Sequence, residues 1–267
     1  MTITDDALPR QKISVCSKQL CLFLSQYASW LLGCGATCIR LETNVKRIAA
    51  AYGYTAELTI MPRHINITVA LEGSDDVFTS MTAVRATAIN FDMNTRLSSL
   101  SWKISDHNLC LDDARRLFDN IIRPRKRNEW ALISIVSVAN AAFCRLFGGD
   151  FIAMAIVFSA TFAGFMFKQL LLRRGVDVRL TVIFCAFVSS VLGATGVLFA
   201  LGTTPNIALA TSVLYLVPGI PFINSFSDML YRHYICAFSR FVDALVLTCC
   251  LSIGLCAGMM MMNVGMF

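Results

Sequence analysis

The chain has 267 residues, 56% hydrophobic and only 15% charged, with a mean hydropathy of +0.64. A water-soluble domain carries about a quarter charged residues, so this composition excludes a wholly soluble protein. The net charge of +6 does not point to nucleic acid, because the later cations lie between apolar runs and no stacking aromatics interleave with the rest. From Ala131 onward the charged residues are Arg145, Asp150, Lys168, Arg173, Arg174, Asp177, Arg179, Asp228, Arg232, Arg240 and Asp243; the remainder lie earlier. Such a division predicts two solvents, water for residues 1–128 and lipid for residues 129–267. Eleven cysteines suggest no disulfide framework. Several, such as Cys144, Cys185 and Cys250, sit in apolar runs as packing residues, and Cys34 and Cys38 lack a second pair at zinc-ligand spacing. The thiols read as reduced and cytosolic.

The opening Asp5-Asp6 is the reverse of a secretory signal's basic start. Helical spacing covers Gln11 to Leu32 and stops at Gly33 and Gly35. Thr37 can cap a second helix, Cys38 to Tyr52, with Leu41, Val45 and Ile48 on one face. The period then changes to two in Glu57–Met61 and Ile65–Val69, and Gly73-Ser-Asp-Asp76 turns into a third strand, Val77–Met81. Helices follow over Asp92–Ile104 and Leu109–Ile122, the second with Asp112 and Asp113 in its first turn to suit the dipole. Residues 1–128 thus read as a soluble α+β cytoplasmic domain closed by the basic segment Arg123–Arg127.

Five apolar runs come next: Trp130–Phe147, Phe151–Leu172, Leu180–Leu201, Ile207 to Tyr231 with an interruption, and Phe241–Met262. They predict a membrane all-α bundle of about five transmembrane helices. Arg123–Arg127, Arg173, Arg174, Arg179, Arg232 and Arg240 fall on one side, and the opposite loops carry Asp150, with Arg145 the exception. By the positive-inside bias, the first domain is cytoplasmic and the C-terminus periplasmic.

The most informative stretch is Leu216-Val-Pro-Gly-Ile-Pro221, which breaks the fourth span. Pro218 and Pro221 each remove a backbone donor, and Gly219 permits departure from helical geometry. Broken helices at membrane depth are common at transporter sites, where a half-helix N-terminus attracts an anion. Pro218, Gly219, Pro221, Asn224 and Asp228 are therefore the candidate substrate-binding residues, the last two four apart on one helix face. Arg240 and Asp243, one turn apart, are expected to pair, and with Lys168 they are the candidates for coupling or gating; Lys168 can also snorkel to the cytosolic surface. Asp150 is placed to cap the second span. Gly254-x-x-x-Gly258 and Ala160-x-x-x-Gly164 are small-residue faces suited to close packing, within the chain or against another subunit. His64, His107 and His233 are scattered, and no nucleophile, phosphate-loop or metal motif accompanies them, so neither catalysis nor a cofactor or metal is expected.

Leu216-Val-Pro-Gly-Ile-Pro-Phe-Ile-Asn-Ser-Phe-Ser-Asp-Met229 resembles the signature of the threonine/serine exporter (ThrE) family. Gly35-Ala-Thr-Cys-Ile-Arg-Leu-Glu42 through Gly53 resembles a second pattern of that family, and Arg85 with Asp112-Asp113-Ala114-Arg115 a third. The resemblance runs from about Val15 to Val264 and is similar to the split form of these exporters. There a YjjP-type large subunit works with a small YjjB-type membrane subunit in succinate export. It implies gradient-driven export of a small organic acid across the bacterial inner membrane. The alternatives are a threonine/serine exporter subunit, a membrane-tethered hydrolase, and a scaffold with no transport path of its own.

Overall fold

The computed structural model describes residues 16–71, 73, 76–85, 87–124 and 128–264. Asp5, Asp6, the start of the first expected helix, part of the Gly73–Asp76 turn and Arg125–Arg127 lie outside the described residues. The chain forms two compact units, residues 1–124 with 223–240 and residues 125–222 with 241–267.

In the first unit, α1 (Ser17–Gly33) and α2 (Cys38–Ala51) precede a meander of β1 (Tyr54–Ile60), β2 (His64–Leu71) and β3 (Val77–Ala83). α3 (Phe91–His107) and α4 (Leu111–Ile122) follow. The strands pair antiparallel in the order β1-β2-β3, with Leu58 opposite Ile67 and Ile67 opposite Ser80. Period-two alternation puts Ile65, Ile67 and Val69 of β2 in the core with Leu20, Leu24, Tyr27 and Leu31 of α1. The expected face of α2 is fully buried, Leu41, Val45 and Ile48 all at 0% exposure. Phe23 meets Phe118 of α4 edge-on at 5.8 Å, and the buried Tyr27 hydroxyl donates to the Leu97 carbonyl at 2.9 Å.

The second unit holds α5 (Glu129–Leu146), α6 (Phe151–Arg173), α7 (Val178–Leu198), α8 (Pro205–Ser212), a 3₁₀ turn (Leu214–Leu216) and the body of α10 (Tyr234–Met261). α9 (Gly219–Leu230) and α10 each divide between the units. Among the described residues, four helices (α5, α6, α7 and α10) are long and apolar enough to cross a membrane. The count rises to five if the pair Pro205–Leu216 and Gly219–Leu230, bent by 60°, is one span. The fifth expected run begins earlier than its hydropathy suggested, because α10 starts at Tyr234 and places Arg240 inside the helix.

This unit is packed inside out. Its large apolar side chains point outward, among them Trp130, Ile135, Leu146, Phe147, Phe151, Phe184, Leu198 and Phe199, all at least half exposed. Its interior is built from small and polar residues: Ala153, Ala160, Gly164, Ala186, Gly193, Ser137, Asn140, Thr161 and Ser189. In water such a distribution would expose most of the available apolar area; against lipid tails it is favourable, and close backbone approach does the packing.

Both small-residue faces are used within the chain. A Cβ at Gly254 would lie 2.3 Å from the Ile183 carbonyl oxygen, and one at Gly258 2.7 Å from Ser190 Cβ, so α10 packs backbone-to-backbone on α7. Asp150 caps α6 as expected, its Oδ1 accepting from Ala153 N–H at 2.7 Å and its Oδ2 from Thr203. Those backbone hydrogen bonds hold its carboxyl below the ordinary aspartate value. Arg145, the exception to the charge pattern, donates to the Gly149 carbonyl and covers Phe151, closing the α5–α6 turn. Gly254→Val should therefore lower the thermal midpoint of the detergent-purified protein, at a cost of about 1–3 kcal/mol. Gly219→Ala, where an added Cβ meets nothing within 4 Å, should leave the midpoint unchanged.

Candidate functional site

The break preceding the site rests on proline chemistry. Val217 is extended (φ −59°, ψ 126°), the conformation a following proline imposes, and the 3₁₀ turn ends there. α9 then restarts at Gly219, with Pro221 in its first turn, where a missing N–H removes no helical bond. Gly219 does not need its conformational freedom: its φ is not positive and the space around it is open. Of the expected breakers, Pro218 does most of the work.

From Ile223 the chain belongs to the first unit, where it grips the loop between α1 and α2. The Asn224 amide donates to the Gly35 carbonyl at 2.9 Å. One turn later Asp228, at 0% exposure, accepts the Cys38 N–H on Oδ1 at 2.8 Å and the Cys38 thiol on Oδ2 at 3.4 Å. Arg240 in α10 brings Nη1 to 2.9 Å from Asp228 Oδ2 and donates through Nη2 to the Ala36 carbonyl at 2.8 Å. The Nη1 contact is an ion pair off the hydrogen-bonding line. Beyond the cluster, His233 Nε2 lies 3.5 Å from Glu42 Oε2.

The loop is shaped to receive these groups. Gly35 has φ +95°, which only glycine adopts without strain, and an added Cβ would lie 3.1 Å from Ile89 Cγ2. Asn90 N–H holds the Cys34 carbonyl at 2.9 Å. A Cβ at Gly33 would lie 2.3 Å from the Arg85 carbonyl oxygen, so the strand exit presses on the end of α1. Thr37 stands at the N-cap position of α2, but its side chain makes no capping hydrogen bond. The cap expected from Thr37 is supplied instead by Asp228, 190 residues along the chain. A carboxylate there satisfies an orphan N–H and meets the positive end of the helix dipole, while Arg240 neutralises the remaining charge.

The candidate residues fall into three groups. Asn224, Asp228 and Arg240 converge on the α1–α2 loop. Pro218, Gly219 and Pro221 form the break and belong to the second unit. Asp243 and Lys168 lie elsewhere in that unit. Arg240 and Asp243 do not pair as their spacing suggested: Arg240 takes Asp228, and Asp243 lies 3.9 Å from Arg179 in an exposed contact. Lys168 Nζ sits 5.7 Å from the Phe165 ring centroid. Sequence reasoning missed Cys38, Gly35 and Ala36 as partners of Asp228, Asn224 and Arg240. The clue was available in the two motifs quoted above, which meet in space.

The cluster offers charge pairing and helix capping, with no poised nucleophile. Burial, a thiol contact with Cys236 and the neighbouring Asp228 carboxylate all bear on Cys38; the Cys236 contact contributes most, and together they push its thiol far up, so it stays protonated. Cys34, buried nearby, is pushed up to about 11. Among the described residues, no three His, Cys, Asp or Glu side chains gather as a metal site.

The inside-out packing and the four to five apolar helices define a multi-pass membrane protein. A family model described as "Putative threonine/serine exporter" matches residues 22–262, and the chain belongs to this ThrE family, whose members are transporters and not enzymes. Its relatives include the "Probable succinate transporter subunit YjjP" of Klebsiella aerogenes, 29% identical over 91% of this chain and 93% of that protein. The protein of the same name from Escherichia coli K12 is 28% identical over 88% of this chain and 91% of its own length. The "Probable threonine/serine exporter" of Mycobacterium tuberculosis is 23% identical over 85% of this chain and 43% of that protein. No solved structure matches.

A buried carboxylate–guanidinium pair makes a specific energetic prediction. Arg240→Gln should destabilise the protein by about 3–5 kcal/mol, because it leaves Asp228 buried without a counter-charge, and Asp228→Asn by less, because the Arg240 side chain keeps 21% exposure. The double variant should lose clearly less than the sum. Calorimetric or denaturant unfolding in detergent measures this, and strict additivity would show that the two side chains are not coupled.

Proposed function

We propose that the chain is the large subunit of a two-component exporter in a bacterial inner membrane, moving succinate or a closely similar organic acid out of the cytoplasm with a small YjjB-type partner. The carrying observation is the match to two proteins named as succinate transporter subunits, over 88% to 91% of this chain and 91% to 93% of theirs. The word "subunit" in those names supports a partner. A gradient-driven mechanism accords with the lack of a phosphate-loop motif in the sequence.

In this reading residues 1–128 are cytoplasmic and the C-terminus is periplasmic, supported by the cations near Arg173, Arg179 and Arg232 and by Asp150 on the opposite loop. The break made by Pro218, with Gly219 and Pro221 in the turn that follows, acts as the hinge, and Asn224, Asp228 and Arg240 as the latch. Asn224 and Asp228 were candidates for holding the substrate. Their polar atoms are taken by Gly35, Cys38 and Arg240, which supports a coupling role. Asp243 with Arg179 would add a weak surface contact that shifts as the hinge moves.

Two measurements test the reading. Cells lacking the chain should retain succinate several-fold above the parent, reversed by the intact gene and not by a Pro218→Ala variant present at normal membrane levels. Retention of threonine or serine alone would replace succinate with the amino acids, and unchanged pools of all three would overturn an export role. For topology, alkaline phosphatase fused after Phe267 should be active, and fused after Pro124 inactive; the reverse pattern would invert the assignment.

A further inference from the structure

The interior of the second unit carries a seam of polar side chains that packing alone does not require. Asn140 of α5, 4% exposed, donates through Nδ2 to Thr161 Oγ1 of α6 at 2.6 Å and to the Thr211 carbonyl of α8 at 3.1 Å. Further along, Ser189 of α7 approaches the Ala160 carbonyl at 3.3 Å and the Tyr215 hydroxyl at 3.0 Å. The Tyr215 ring lies 6.1 Å from Phe165, whose face is turned to Lys168. Thr161, Gly164 and Lys168 stand at helical spacing on one face of α6, so the seam runs along that face to an ammonium.

Two features mark this as more than polar packing. Gly164 is required for it: a Cβ there would lie 2.0 Å from the Tyr215 hydroxyl and 2.4 Å from Ser189 Oγ. The glycine admits a phenol and a serine hydroxyl against the backbone of α6, where alanine would exclude them. And Lys168 is partly buried within an apolar helix, about five residues from its end, yet it makes no ion pair with a carboxylate among the described residues. The other described cations of this unit sit in turns or near helix ends. Arg145 holds the Gly149 carbonyl, Arg173 pairs with Glu129, and Arg179 lies near Asp243. An ammonium packed into an apolar helix without a carboxylate partner is costly unless its tip reaches the interface or an anion visits it.

We propose that Lys168, Tyr215 and Ser189 form the carboxylate-binding site of the transport path. Lys168 supplies the counter-charge, and the Tyr215 and Ser189 hydroxyls donate to the substrate's oxygens as it passes. The cation–π contact with Phe165 holds Lys168 in place when no anion is present. The polar side chains of Asn140 and Thr161 continue the path along α6. This rests on the reading of the chain as an exporter of a carboxylate; it places substrate contact in the second unit and leaves Asp228 to coupling.

The test is efflux from cells carrying chromosomal variants, so that any partner stays at its natural level, with rate measured against internal succinate. Lys168→Met should raise the apparent KM for succinate about tenfold or more at normal membrane abundance. Lys168→Arg should restore most of it, and Tyr215→Phe, which keeps the ring against Phe165, should raise KM several-fold. A Lys168→Met variant with wild-type KM overturns the site. If Lys168→Met fails to accumulate, the KM values of Lys168→Arg and Tyr215→Phe decide: unchanged KM in Tyr215→Phe overturns the proposal, and a raised one supports it. The same measurement with threonine separates the site from the substrate reading. If the chain exports threonine and not succinate, and Lys168→Met raises the threonine KM, the carboxylate site stands and the dicarboxylate assignment falls.

Discussion

A carboxylate with no exposure to solvent must be neutralised where it lies, and much of the first unit is arranged to do that for Asp228. Desolvating one carboxylate costs several kcal/mol, so a buried aspartate persists only with charge and hydrogen-bond partners on its oxygens. Here the partners are the first N–H and the thiol of α2 and the guanidinium of α10. Meeting this demand goes with the left-handed glycine at Gly35, the Gly35 and Ala36 carbonyls that accept from Asn224 and Arg240, and the return of residues 223–240 to the N-terminal unit. The resulting contact is strong when closed and costly when half-open.

The second unit obeys the opposite solvent logic. Lipid gives apolar side chains no reason to leave the surface, so helix association depends on close backbone approach and interior hydrogen bonds. Gly254 and Gly258 provide the first, and Asn140, Ser189 and Ser190 the second, the Ser190 hydroxyl donating to the Leu255 carbonyl. Because the helices are already held this way, the one ammonium in the seam is free for another task.

Local elements could be read from residue patterns because their causes are local. The period-two run around Ile67, the buried face of α2 and the cap at Asp150 each depend on neighbours within a turn or a strand. Boundaries drifted where hydropathy and helix formation part ways: α10 begins at Tyr234, seven residues before the apolar run thickens. The candidate site was legible as a set of suspicious residues and not as an arrangement. Asn224 and Asp228 stood out by spacing, and the Gly35–Glu42 motif stood out separately, yet nothing local joins the two across about 190 positions. The Arg240–Asp243 pairing failed for the same reason, since a neighbour one turn along loses to a fully buried carboxylate on another helix.

The distance along the chain between those partners has a consequence for biosynthesis. The α1–α2 loop leaves the ribosome early, but the groups that complete it, Asn224, Asp228 and Arg240, are separated from it by 189 to 204 residues. Until they are made, the Gly35 and Ala36 carbonyls and the Cys38 N–H must remain with water or with a chaperone. Three long apolar helices are translated in the interval and must be integrated first. The N-terminal unit therefore cannot finish folding before the membrane helices ahead of Ile223 have been inserted, so a failed insertion leaves an incomplete and recognisable domain for proteolysis.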